Sequence, residues 1–414
     1  MVADPQAFAA WLAQAPSSAD WIEARLSFLD TLGCIAAGAR APALPVLRQM
    51  GMSRAVLSAV AGHFDDFDDS ELIGSTHPST VLISALIELD LEKPMTLGQA
   101  LDAYEAGLAA IEFIGAGLGY DHYARGFHAS ATVGIFGAAA ACARVLKLDS
   151  DRIAVALSLA ASQAAGLKVQ FGSDAKGLQL GFAAEAGLRS ARLAQAGLSA
   201  SDRAVDIFLK LYGVNRTAAV PQSLTIPPGR IYRKLWPCCH YAHRLLQVCQ
   251  GLDLPPDRIR RIDLQMPAPF LKVIEIQDPR TASAAKFSLR WCIAAMLTGG
   301  ELCVTDFETR LHDPDLRVLM SRIDLLALSV RDGIADLSPE APDRITITCD
   351  DGHVIAETAA HVPGSTALPI AMGQLVTKYR GNLALAKGAS NRSGDLLRGA
   401  ADLPFRSLIP EPKV

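Results

Sequence analysis

Aromatic side chains are scarce in this chain, 6% of 414 residues. Strands of a β-sandwich draw heavily on aromatic and β-branched residues, so that architecture is not expected. No uncharged apolar run reaches the roughly 18 residues that a membrane-spanning helix needs. A basic arm is missing too. The 39 Lys and Arg are interspersed with 43 Asp and Glu, for a net charge of −4, and nucleic acid is not an expected partner. The first residues, MVADPQAFAAWLAQAPSS, carry an early Asp and no basic segment, unlike a signal peptide. Eight cysteines are irregularly spaced. Reduced thiols and a cytoplasmic location follow as expectations.

What is abundant is Ala, Gly and helical periodicity. Half the residues are apolar. Up to about Gln250 one helical pattern follows another, as in WIEARLSFLDTLGCIAAGA and ATVGIFGAAAACARVLKL. Small residues in such numbers suit helices that pack almost backbone to backbone. Near Leu252 the texture changes. LPPDRIRRIDLQMP is strand-like, and PDRITITCDDGHVIAETAA alternates around Asp-Asp-Gly, a hairpin signal. Between them AAKFSLRWCIAAMLTGG and PDLRVLMSRIDLLAL read as helices, and ALPIAMGQLVTKYRGNLALA is helical again. The expected fold is mainly α. An all-helical domain takes residues 1–252 and 368–414, and a smaller α+β lid domain takes 253–367.

Four segments place ionisable groups at helix starts. GHFDDFDDSELIGSTHPST (62–80) gathers five acids and two histidines, with His77 before Pro78 at a first helical position. RGFHASATVGIFGAAA places His128 ahead of Ser130, a candidate N-cap. FGSDAKGLQLGFAAEAG places Lys176 at another small-residue helix. RKLWPCCHYAHRLLQV carries Lys234, Cys239 and His240 before a helix with His243. A helix N-terminus attracts anions, so four of them with two lysines suit a ligand with several carboxylates. Competing readings exist. Asp66, Asp68 and Ser70 have EF-hand spacing, but Glu71 stands where that loop needs Gly. Cys238, Cys239, His240 and His243 lack a second ligand pair for zinc. A solvated turn would leave Asp68 or Asp69 facing water. Each histidine alone is more often structural than catalytic. GAGLG at 115–119 follows a helix rather than a strand, which argues against a dinucleotide loop.

The segments DTLGCIAAGA (30–39), DFDDS with HPST (66–80), GFHASATVGIFGAAAACARVLKLD (126–149), ASQAAGL with DAKGLQLGFAAEAG (161–187), WPCCHYAHR (236–244) and AAKFSLRWCIAAML (284–297) resemble the MmgE/PrpD family. That family includes 2-methylcitrate dehydratases, iminodisuccinate epimerases and cis-aconitate decarboxylases. The resemblance implies a homodimer, no metal or organic cofactor, and chemistry next to a carboxylate of a di- or tricarboxylate substrate. It puts Asp66, His77, His128 and Lys176 in catalytic positions. It puts Ser70, Lys234, Cys239, His240 and Trp291 around the substrate. Ser70 stands where Thr is usual. Cys239 and Trp291 stand where the decarboxylases carry histidine and tyrosine. These departures favour an epimerase, an isomerase acting on iminodisuccinate, ahead of a dehydratase-type lyase, with decarboxylation and substrate binding without catalysis behind.

Overall fold

The computed structural model describes residues 4–213, 218–331, 333–386 and 389–410. The outermost ends of the expected helical domain therefore lie outside the described residues. Helices dominate up to Gln250. Leu97–Leu118 packs on Gly134–Val145, which packs in turn on Ala175–Gln195. The latter also covers Arg54–His63. Small residues permit this closeness. A Cβ on Gly187 would stand 2.5 Å from that of Ala138, and one on Gly107 would stand 2.9 Å from the carbonyl of Gly137. Overpacking at such contacts costs about 1–3 kcal/mol, so these glycines fix the spacing of the bundle.

Among the described residues there is one four-stranded sheet, ordered β2–β1–β3–β4. Its strands are β1 (Ile259–Pro267), β2 (Ile323–Leu328), β3 (Asp343–Cys349) and β4 (Val354–Ala359). β1 pairs parallel with β2 and antiparallel with β3, and β3 with β4 forms the hairpin across Asp350–Gly352. Alternate residues of β3, Ile345 and Ile347 among them, are buried. The helix His243–Gln250 lies against β3 and β4. The helix Met372–Leu385, after the sheet, returns to pack on Ile22–Gly38.

The sheet corrects the expected fold class. The chain is 54% helical with a mixed sheet, hence mixed α/β and not mainly α. Part of the difference lies in PDLRVLMSRIDLLAL. Its apolar run divides after Met320 into a helix, Pro314–Met320, and the strand β2. A short apolar run fits either period, and here pairing with β1 selects the strand. No helix among the described residues is long and apolar enough to cross a membrane.

Candidate active site

The turn between the helices Arg54–His63 and Pro78–Glu92 builds the centre. His77 holds the N-cap position and Pro78 opens the helix, where a missing N–H costs nothing. Asp66 adopts φ +50°, a left-handed conformation that Asp tolerates better than most residues. Ser70 exchanges two backbone hydrogen bonds with Tyr232, at 2.9 and 2.8 Å. That bridge brings Lys234, two residues on, beneath Asp66.

Asp66 is the hub. Lys176 donates to its Oδ1 at 2.6 Å. Lys234 donates to its carbonyl at 2.7 Å and lies 3.2 Å from Oδ2. Burial would raise the Asp66 pKa, but the two ammonium groups outweigh it and hold the carboxyl well below its usual range. Burial likewise works against the charge of Lys234, and Asp66 with Asp68 overcomes it and raises the pKa.

Four imidazoles surround this hub. His77 donates from Nδ1 to the carbonyl of Asp69 at 2.8 Å, and its Nε2 stands 3.9 Å from Asp66 Oδ1. His128 donates from Nδ1 to Gln179 Oε1 at 2.7 Å, and its buried Nε2 has no hydrogen-bond partner. His63 donates from Nδ1 to Asp68 at 2.8 Å, and its Nε2 faces Lys176. In all three the acceptor at Nδ1 fixes the tautomer and leaves a lone pair on Nε2. His240 is different. Its Nδ1 lies 2.6 Å from Ser70 Oγ, and its buried Nε2 is unpartnered. A hydroxyl proton directed at Nδ1 would place the imidazole proton on Nε2. Burial, with Lys234 or Lys176 nearby, lowers the pKa of His77, His128 and His240 well below 6.5. The site thus holds neutral imidazoles around a carboxylate whose charge two lysines balance.

The structure brings Asp66, His77, His128, Lys176 and Lys234 together, with Ser70 and His240 on the Lys234 side. Cys239 is buried beside them, and burial and Asp66 push its thiol up to about 12. Trp291 is fully buried and packs its ring 4.6 Å from that of Phe307, with no hydrogen bond at its indole N–H. Ser130 is not an N-cap. His128 holds that position, and Ser130 Oγ accepts the backbone N–H of His77 at 2.9 Å. No acid in the turn faces water, since Asp65, Asp66, Asp68, Asp69 and Glu71 are all buried. Asp65 takes a bidentate pair from Arg40 and a bond from Lys286.

Sequence reasoning passed over His63, Gln179, Lys286 and Arg40. For His63 a signal was present: it closes a helix three residues before Asp66. A pocket lined by His63, Asp66, Lys176, Lys286 and Phe287 lies beside this group.

Ligand atoms of His63, Asp68 and His77 lie within 4.8 Å of one another. A dication there would displace the His63–Asp68 bond and the His77 bond to Asp69, and would sit close to the Lys176 ammonium. Metal binding there would cost those two bonds and meet the charge of Lys176. Dialysis against a strong chelator is therefore expected to leave turnover unchanged. Loss of activity that one added metal restores would overturn this.

Known proteins resemble this chain along most of its length. The MmgE/PrpD N-terminal domain matches residues 6–217 and the MmgE/PrpD C-terminal domain matches residues 236–396. Human cis-aconitate decarboxylase is 27% identical over 367 residues, 82% of this chain and 74% of its own. The Aspergillus terreus cis-aconitate decarboxylase is 24% identical over 408 residues, 90% of this chain and 81% of its own. Decarboxylases are lyases, so these relatives support an enzyme of the lyase kind and do not single out an isomerase. Matched along most of its length by both domains, the chain belongs to the MmgE/PrpD family.

Proposed function

We propose that this chain is a lyase acting next to a carboxylate of a di- or tricarboxylate, with decarboxylation of an unsaturated tricarboxylate such as cis-aconitate as the leading reaction. The observation that carries this reading is the Asp66 hub, where Lys176 and Lys234 meet beside the bare Nε2 edges of His77 and His128. The lysines hold two substrate carboxylates by charge-assisted bonds. The third, allylic carboxylate leaves as CO2. The electron pair of the broken C–C bond forms a new alkene. The old double bond shifts its pair to the carbon beside a retained carboxylate, and that carbon takes a proton. Arriving carboxylates raise the pKa of neighbouring imidazoles, so the substrate brings the needed proton uptake with it.

Epimerisation of an iminodisuccinate-like acid is the second reading. One observation favours it: burial and the nearby lysines hold His77 and His128 neutral, the form from which abstraction of an α-proton begins.

Proton NMR in D2O with cis-aconitate, 2-methylcitrate and iminodisuccinate separates the cases. The expected result is loss of one carboxylate from cis-aconitate and one deuterium at the new methylene. Deuterium with stereochemical scrambling on iminodisuccinate would replace this reading with the second. A new alkene from 2-methylcitrate without CO2 would make the chain a dehydratase. Binding without turnover of any of the three would remove catalysis altogether.

A further inference from the structure

We propose that His63 is a positioning residue that holds the Lys176 ammonium in place for a substrate carboxylate. The inference rests on the carboxylate-binding reading above and adds a residue to it.

His63 is the last residue of the helix Arg54–His63 and is buried. Its Nδ1 meets both oxygens of Asp68, at 2.9 and 2.8 Å. Asp68 is itself anchored by the Thr80 hydroxyl at 2.7 Å. An ionised carboxylate only accepts, so the His63 proton sits on Nδ1 and Nε2 carries a lone pair. The ammonium of Lys176 lies against that lone pair. Burial lowers the His63 pKa although Asp68 opposes it, so the neutral tautomer persists near pH 7.

The consequence is a count of protons. The Lys176 ammonium has three. One goes to Asp66 Oδ1 at 2.6 Å and one to His63 Nε2. The third is left for the pocket, where Phe171 and Phe287 stand 5.0 and 5.2 Å from Nζ. Two anchors in different directions fix where that third proton points, and a preorganised donor loses less freedom on binding. Without the second anchor the flexible lysine would swing about its contact with Asp66.

Two substitutions separate this role from simple support of Asp68. The amide of Asn ends at the depth of Nδ1, so His63→Asn keeps a donor for Asp68 and loses the contact with Lys176. The amide of Gln reaches the depth of Nε2, so His63→Gln offers Lys176 an acceptor and loses the donor to Asp68. Calorimetry with tricarballylate, a saturated tricarboxylate, measures binding. The expected result is an affinity loss of about tenfold or more in His63→Asn, the scale of one hydrogen bond to a charged group, with His63→Gln closer to the parent. KM with the turned-over acid should follow the same order, while kcat changes less.

The reverse order, or parent-like binding in both variants, would overturn the proposal. If the parent binds no tricarboxylate, the substrate reading fails, and a second measurement still tests His63. Reductive methylation of Lys176, followed by peptide mass spectrometry, should be faster in His63→Asn than in the parent and His63→Gln. Equal rates in all three would sink the positioning role.

Discussion

His128→Asn is expected to lower kcat/KM by about 10²–10⁴, the usual scale for loss of a general acid or base, with little change in melting temperature. The fold has small need of the imidazole. His128 holds the N-cap of the helix Ala129–Thr132 but makes no side-chain capping bond, and Asn is among the best residues there. An Asn amide reaches the depth of Nδ1 and can still donate to Gln179. What disappears is Nε2, the buried atom with no partner. Burial and the Lys176 charge lower the pKa of this group. Its protonated form in the free enzyme accumulates only below that lowered value. The kcat/KM profile of the parent should therefore show no inflection from free-enzyme His128 between pH 8 and the ordinary histidine range near 6.5. His77→Asn should damage the rate severely for the same reason. Normal rates in both variants would move the acid–base work to His240 or Cys239.

Much of this site was legible in sequence because it depends on local signals. His77 before Pro78 and His128 before a small-residue helix follow from capping rules, whereas Lys176 and Lys234 stood out through the family resemblance. Convergence was not legible. Lys176 and Lys234 reach Asp66 across 110 and 168 residues of chain, and no local pattern encodes such distances. The paired state of Asp68 was hidden for the same reason, since half its support is Thr80 on the next helix. His63 looked like one polar residue in an acid-rich turn until the helix Ala175–Gln195 supplied Lys176. In the fold, the Asp-Asp-Gly hairpin was readable from turn chemistry. β2 was not, because Ile323, Leu325 and Leu326 satisfy a helical stripe as well as a strand, and only the parallel pairing with β1 decides. Trp291, which stands where the decarboxylases carry tyrosine, packs its ring against Phe307.

The second large effect is expected for Asp66→Asn. Asn tolerates the positive φ of this position nearly as well as Asp, and the carbonyl that accepts from Lys234 remains. The change therefore isolates the negative charge. Without it Lys176 and Lys234 lose the carboxylate they share, while both stay buried. Breaking a buried pair from one side costs about 3–5 kcal/mol, and chemical denaturation at pH 7 should register a loss of that size. Activity should fall with it, because two unscreened ammonium groups no longer keep their spacing. The pH dependence gives the charge-based explanation its own signature. Burial lowers the pKa of Lys234, and the variant lacks the Asp66 charge that opposes this, whereas in the unfolded chain a lysine titrates near 10.4. Between those limits the unfolded state binds more protons, so stability rises with pH. The gap between variant and parent should therefore narrow as the pH is raised from 7 towards 10. A gap that stays constant over this range would mean that the lost stability comes from packing or hydrogen-bond geometry and not from the two uncompensated charges. No gap at all would show that Asp66 does not hold the lysines.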